Sequence, residues 1–152
     1  MHPHPVPRVD VSNSSAAFAA RGALSALIVD DEAHVRAYTR MLLALLGVTT
    51  VWEAGSGADG LKLYLEHRPS VVLLDVNMPV MLGDVMMARL MAIDPAVAVI
   101  VMTSENNNGV VRFFQELGAI GYVLKHVARA QAVAMIGEAL DTLLDEGAEP
   151  DE

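Results

Sequence analysis

The chain of 152 residues contains no cysteine. Disulfide bonds, thiolate zinc sites and thiol catalysis are therefore excluded, and the hydrophobic core has to hold the fold. No uninterrupted apolar run approaches the ~20 residues that a membrane-spanning helix needs. Basic residues are scarce, since ten Lys and Arg stand against nineteen Asp and Glu and the formal net charge is −9. That charge disfavours direct contact with nucleic-acid backbones and anionic membrane surfaces.

The length is that of one domain, which we place at residues 23–145. Residues 1–22 lack the basic start and continuous apolar run of a secretory signal, so we expect a cytoplasmic protein. Three prolines favour a flexible arm there, whereas the serines and alanines of residues 12–20 are also compatible with a short capped helix that ends at Gly22. Residues 146–152 are acidic and poor in apolar side chains, which predicts a frayed tail.

Between these two ends, short β-branched runs alternate five times with amphipathic stretches. The predicted strands span residues 25–29, 49–53, 71–74, 97–102 and 120–124, and the predicted helices span 33–46, 58–67, 84–93, 106–117 and 128–144. Strict alternation requires crossover connections, so the strands should be parallel and the helices should cover both faces. We predict an α/β fold, a three-layer sandwich around a five-stranded parallel sheet.

Polar residues follow the predicted strands at the carboxyl edge of the sheet, where open α/β sheets bind ligands. They are Asp30 and Asp31 after the first strand, Asp75 after the third, Thr103 and Ser104 after the fourth, and Lys125 after the fifth. Two bare carboxylates about 4 Å apart repel each other by about 4 kcal/mol at an effective dielectric constant of about 20. Three carboxylates in one cleft therefore need a cation, and magnesium suits them because it prefers oxygen ligands.

Asp75 is the candidate nucleophile of this cleft, since it follows the strand that we place at the centre of the sheet. A carboxylate that attacks phosphorus forms an aspartyl phosphate. Phosphoryl transfer depends mainly on positioning and on neutralising the charge of the phosphoryl oxygens. Magnesium, the Lys125 ammonium and the Thr103 hydroxyl would each stabilise one of these oxygens.

Four short motifs stand at these strand ends. They are LIVDDE at residues 27–32, LLDVNMP at 73–79 with Gly83 beyond it, VMTS at 101–104 and GYVLK at 121–125. In order and spacing they resemble the receiver domain of bacterial two-component response regulators, from about residue 24 to residue 144. The resemblance implies a flavodoxin-like sheet with strand order 2-1-3-4-5 and a stand-alone receiver similar to the chemotaxis regulators.

The resemblance also implies a role for each acid. Asp75 would accept a phosphoryl group from a phosphohistidine, which a sensor histidine kinase or a histidine phosphotransfer protein would carry. Mg²⁺ would be held by Asp31 directly, by Asp30 through water, by Asp75 itself and by the backbone carbonyl of Asn77. The implied cofactor is therefore Mg²⁺, and the implied product is a phosphoprotein.

Three further residues would respond to the phosphoryl group. Lys125 would bind it, Thr103 would turn towards it, and Tyr122 would swing inward to fill the space that Thr103 leaves. The face built from the fourth predicted helix, the fifth strand and the last helix would then change shape and contact a downstream protein. Because no output domain follows the last predicted helix, we expect a signalling protein that is not an enzyme and acts through protein contacts alone, with a homodimer left open.

The chain departs from the family at His126, where the family usually has a proline after a cis bond. A cis bond before a non-proline residue costs roughly 2.5–4 kcal/mol. We therefore predict a trans Lys125–His126 bond and a rearranged loop after the fifth strand.

Three other functions fit part of the pattern. A phosphohydrolase of the haloacid dehalogenase type needs a second acid two positions after its nucleophile, where this chain has Asn77. A flavodoxin-like flavin binder needs a phosphate-cradling loop after the first strand, where three consecutive acids would repel the phosphate. A degenerate receiver that binds partners without taking phosphate stays open because of His126, although the retained acids argue against it.

Overall fold

The computed structural model describes residues 15–78, 83–104 and 108–147. Its strands are β1 (Ser25–Val29), β2 (Thr50–Ala54), β3 (Val71–Asp75), β4 (Val99–Thr103) and β5 (Gly121–Leu124). Its helices are α1 (Ser15–Arg21), α2 (Ala33–Leu46), α3 (Gly57–His67), α4 (Gly83–Ile93), α5 (Asn108–Glu116) and α6 (Arg129–Gly147). None of these helices is long and apolar enough to cross a membrane.

All ten predicted strands and helices are present. The first strand and the helix after it have the predicted bounds, and the largest difference is at α6, which continues into the segment that we had assigned to the acidic tail. Pro79 and the start of the predicted fourth helix lie outside the described residues, as do residues 148–152.

The five strands form one parallel sheet in the order β2-β1-β3-β4-β5, as the family resemblance predicts. Val29 pairs with Leu74, so the acids that follow β1 and end β3 lie at the same level. Thr103 pairs with Leu124, which brings the start of the next loop to the same edge. The register thus gathers the predicted functional residues at the carboxyl edge.

Each face of the sheet carries its own hydrophobic core. Ala26 and Ile28 point to the face covered by α2 and α6, whereas Leu27 and Val29 point to the face covered by α3, α4 and α5. This alternation follows from the two-residue period of a strand. Strands buried on both faces explain the β-branched runs of the sequence.

The first helix, α1, packs against the carboxyl end of α2 and against α6. Arg21 is fully buried and donates hydrogen bonds to both carboxylate oxygens of Asp141 and to the Leu46 carbonyl. At Gly47, where φ is 101°, a Cβ atom would lie 2.4 Å from the carbonyl oxygen of Phe18. Residues Ser15–Arg21 are therefore helical, as the second interpretation of residues 1–22 predicts. Residues 1–14 lie outside the described part of the chain.

Candidate phosphoryl and metal site

The turn between β1 and α2 brings three carboxylates together. Asp30 is buried, while Asp31 and Glu32 are exposed. The Asp30 N–H donates to the Ala54 carbonyl at 3.1 Å, and its Oδ1 accepts the N–H of Glu32 at 2.9 Å. Side-chain oxygens of the three acids lie within 4.8 Å of one another. Glu32 was not assigned a role from the sequence, although it continues the run of acids.

Asp75 ends β3 and is 2 % exposed. Its Oδ1 accepts the N–H of Asn77 at 3.0 Å. Burial raises the pKa of Asp75, and the negative charge of Asp30 adds to this, against the opposing effects of the Asn77 N–H and Lys125. Val76 lies close to the start of α4, because a Cβ at Gly83 would lie 2.5 Å from Cα of Val76. A glycine at position 83 permits this approach.

Lys125 contacts both buried acids from the end of β5. Its Nζ lies 3.0 Å from Oδ2 of Asp30 and 3.2 Å from Oδ1 of Asp75, and its side chain is 11 % exposed. Burial lowers the pKa of Lys125, but the two carboxylates together outweigh burial and raise it above its ordinary value. Lys125 is therefore a charged ammonium that joins the ends of β1 and β3.

The Lys125–His126 bond is trans, as predicted, since the described backbone contains no cis peptide bond. The N–H of Lys125 donates to the Thr103 carbonyl at 2.8 Å, which holds the start of this loop against β4. His126 does not displace the lysine from the site, because the ammonium still contacts Asp30 and Asp75.

One atom of the site suits a cation. Oδ2 of Asp30 is buried, and its close partner among the described residues is the Lys125 ammonium, 3.0 Å away. An ionised carboxylate offers about four lone pairs, so this oxygen retains capacity to bind a cation. The neighbouring side chains offer carboxylate oxygens, which magnesium and calcium prefer to nitrogen and sulfur ligands. The residues present therefore fit a hard divalent cation.

The remaining predicted site residues lie in two different places. Thr103 is buried at the end of β4, and Asn77 and Ser104 are exposed at the same edge of the sheet. Tyr122 lies in β5 and is half-buried, and it lines a cavity of about 290 Å³ between α5 and α6. The structure thus places Thr103 at the same edge of the sheet as the acids and leaves Tyr122 on the adjoining face.

A second cavity, of about 390 Å³, opens beside the acids. Its lining combines polar residues, among them Asp75, Lys125 and Asn77, with apolar residues such as Val35 and Leu42. The cavity thus adjoins both Asp75 and Lys125.

The chain is similar to known signalling proteins. The family model described as the response regulator receiver domain matches residues 26–137. The transcription regulator BvgA of Bordetella pertussis is 34% identical over 100 residues, which cover 66% of this chain and 48% of BvgA. The chemotaxis protein CheY of Listeria monocytogenes is 33% identical over 102 residues, which cover 67% of this chain and 86% of CheY. The chain thus spans about half the length of BvgA and most of CheY.

Solved structures agree with the sequence comparison. The REC domain of AraT, a response regulator from Geobacillus stearothermophilus, superimposes with a TM-score of 0.71 at 27% identity, covering 82% of this chain and 98% of that one. Receiver domains are the signalling modules of two-component systems. From the matched residues 26–137, the strand order and these relatives, it follows that the chain belongs to the response regulator receiver domain family.

Proposed function

We propose that this protein accepts a phosphoryl group on Asp75 from a phosphohistidine and passes the signal on by protein contact. The donor would be a sensor histidine kinase or a histidine phosphotransfer protein. The observation that carries the proposal is the grouping of Asp30, Asp75 and Lys125, in which one ammonium contacts two buried carboxylates. Such a charged, buried cluster is costly for stability and is typical of functional sites.

The transfer would form a bond between an Asp75 oxygen and phosphorus while the bond from phosphorus to the histidine nitrogen breaks. Among the described residues, the contacts to Asp75 converge on Oδ1, so we assign Oδ2 as the attacking oxygen. The imidazole of the donor leaves with the electron pair of the broken bond and takes up a proton from solvent. Lys125 lies on the Oδ1 side, where its ammonium would neutralise a phosphoryl oxygen.

The residues that would hold magnesium are Asp30, Asp31, Asp75 and the backbone carbonyl of Asn77. When bound, the ion would supply positive charge for the phosphoryl oxygens. Glu32 lies in the same carboxylate cluster and would attract the hydrated ion.

The signal would leave the site through Thr103 and Tyr122. Thr103 is buried next to Lys125, and Tyr122 precedes Leu124, the strand partner of Thr103, by two positions. Because Tyr122 lines the cavity between α5 and α6, its rotation would change the face formed by α5, β5 and α6. A downstream protein would recognise that face.

Intact-mass measurement after incubation with acetyl phosphate and MgCl₂ tests the proposal. We expect the wild type to gain the mass of one phosphoryl group and Asp75→Asn to gain none. Asp94→Asn is the control, since Asp94 is a hydrogen-bonded acid outside the site that accepts from Tyr64. A wild type that never gains the phosphoryl mass would contradict the proposal and favour a receiver that only binds partners.

A further inference from the structure

Arg36 links helix α2 to the acidic turn that follows β1. Its Nη1 donates to the backbone carbonyl of Asp30 at 2.7 Å, and its Nε donates to Oε1 of Glu53 at 3.2 Å. One turn farther along the helix, Arg40 donates to Oε2 of the same Glu53 at 2.7 Å and to the Val51 carbonyl at 3.1 Å. The two arginines thus share one carboxylate, but of the two only Arg36 is bonded to the acidic turn.

The carbonyl that Arg36 holds belongs to the peptide unit that joins Asp30 to Asp31. The preceding peptide unit is already held, because the N–H of Asp30 donates to Ala54. Both peptide units around Asp30 are therefore fixed, and the position of Asp31 depends on the second. The side-chain oxygens of Asp30, Asp31 and Glu32 lie within 4.8 Å of one another and repel each other, so the turn needs a contact that keeps it in place.

We propose that Arg36 is a positioning residue for the metal-binding acids and acts through the Asp30 carbonyl. The inference rests on the proposed function, because it concerns the same magnesium site. The guanidinium fits this role because its planar fork holds the Asp30 carbonyl and the Glu53 carboxylate at once, whereas an ammonium is a single point charge. The Arg36 side chain is 20 % exposed, so solvent screens these contacts only in part.

Charge alone predicts the opposite effect on magnesium. A guanidinium near the site repels a dication, so removal of its charge would tighten magnesium binding if Arg36 acted only through its field. If Arg36 acts by holding the Asp30–Asp31 peptide, its removal weakens magnesium binding. The sign of the change therefore separates positioning from electrostatics.

Isothermal titration calorimetry of the full chain with MgCl₂ shows whether the magnesium Kd rises or falls. We expect Arg36→Gln to raise the magnesium Kd about 10-fold, the lower end of the range for residues that orient metal ligands. Arg36→Lys keeps the charge but not the fork, and we expect it to raise Kd as well. Arg40→Gln is the matched control, because it also removes a cation from Glu53 without touching Asp30, and its Kd should stay within about twofold of the wild type.

Melting temperatures of the same proteins separate positioning from loss of folding. Arg36→Gln and Arg40→Gln both lose a Glu53 contact, so a difference in Kd between them does not come from that loss. If Arg36→Gln fails to fold, Arg36→Lys decides the question in its place. Equal Kd values for the Arg36 and Arg40 variants would overturn the inference while the phosphoryl-transfer function stands. If the wild type binds no magnesium and takes no phosphoryl group, both the role of Arg36 and the proposed function are wrong.

Discussion

Arg21 and Asp141 are 120 positions apart and form a two-pronged ion pair, with the Arg21 Nε and Nη2 atoms 2.9 and 3.1 Å from the two carboxylate oxygens of Asp141. The arginine is fully buried and the side chain of Asp141 is 19 % exposed. The pair fastens α1 to α6, and both residues lie outside the part of the chain that the family model matches. The first helix is thus an integral part of this receiver.

Removal of the Arg21 guanidinium should therefore destabilise the fold. Arg21→Ala leaves the Asp141 carboxylate partly buried without its partner, and we expect the free energy of unfolding to fall by about 3 kcal/mol. Urea denaturation followed by circular dichroism measures the change. Arg89→Ala, at an exposed position of α4, is the control and should change stability by less than about 0.5 kcal/mol. Equal stability of the two variants would contradict an anchoring role for Arg21.

Magnesium should raise the melting temperature of the wild type, because an ion bound only by the folded acids stabilises the folded state. At a free concentration of about 100 times Kd, the gain is about 2.7 kcal/mol. Asp31→Asn removes an exposed predicted ligand with little expected damage to the fold, and it should lose most of this gain. Calcium titrated in parallel shows whether the site distinguishes the two hard cations. An unchanged melting temperature at saturating magnesium would contradict the metal site.

The alternating pattern was sufficient to predict a parallel sheet and the residues at its carboxyl edge, whereas the strand order came from the family resemblance. Alternating strands and helices allow few topologies, and parallel strands bring their carboxyl ends together whatever the details of the loops. Asp30, Asp75 and Lys125 were therefore expected near one another, and the structure places them in contact. Their metal and phosphoryl roles stay predictions.

Other contacts could not be predicted because they leave little trace in local sequence. Arg21 ends an alanine-rich helix, and nothing near it indicates a partner 120 positions away. Arg36 donates a hydrogen bond to the backbone carbonyl of Asp30. Because every residue has a backbone carbonyl, the sequence does not show which one Arg36 binds. Glu32 was visible as part of the run of acids, but only the turn geometry shows that its carboxylate joins the other two.

Lys125 and magnesium should compete for Asp30, since the ammonium lies 3.0 Å from Oδ2 of that carboxylate. Lys125→Gln should tighten magnesium binding by roughly 1 kcal/mol, a factor of about five, because the dication no longer meets a neighbouring positive charge. Phosphoryl transfer from acetyl phosphate should slow, since the ammonium is lost. Calorimetry and intact mass measure the two effects, and Lys62→Gln, exposed on α3, is the control. Weaker magnesium binding in Lys125→Gln would contradict the competition.

Tyr64 should make stability depend on pH in the alkaline range. Its hydroxyl donates to Asp94 at 2.9 Å, and burial followed by this hydrogen bond raises the pKa of Tyr64 to about 12. In the unfolded chain a tyrosine ionises near pH 10. The stability that Tyr64 contributes is thus fully present below about pH 10 and is lost as pH rises through about 12.

Tyr64→Phe should be less stable than the wild type by about 1 kcal/mol at pH 8, because the hydrogen bond to Asp94 is lost. The difference should shrink between pH 10 and 12, since only the wild type has this hydroxyl to ionise. Urea denaturation at several pH values measures it, and Tyr38→Phe, which removes a hydroxyl at a half-buried position of α2, is the control. If the difference in unfolding free energy stays constant across this range, the pKa of Tyr64 does not change between the folded and unfolded states.

Thr103 should transmit the phosphoryl signal without being needed to receive it. Thr103→Val keeps the branched shape of this buried side chain but lacks the hydroxyl, so the variant should still gain the phosphoryl mass on Asp75. In the wild type, phosphorylation should change amide hydrogen exchange in α5 and β5, and in Thr103→Val most of that change should be absent. Thr142→Val removes an exposed hydroxyl that donates to the Glu138 carbonyl of α6, and it should respond like the wild type. A full exchange response in Thr103→Val would show that the signal reaches α5 and β5 by another route.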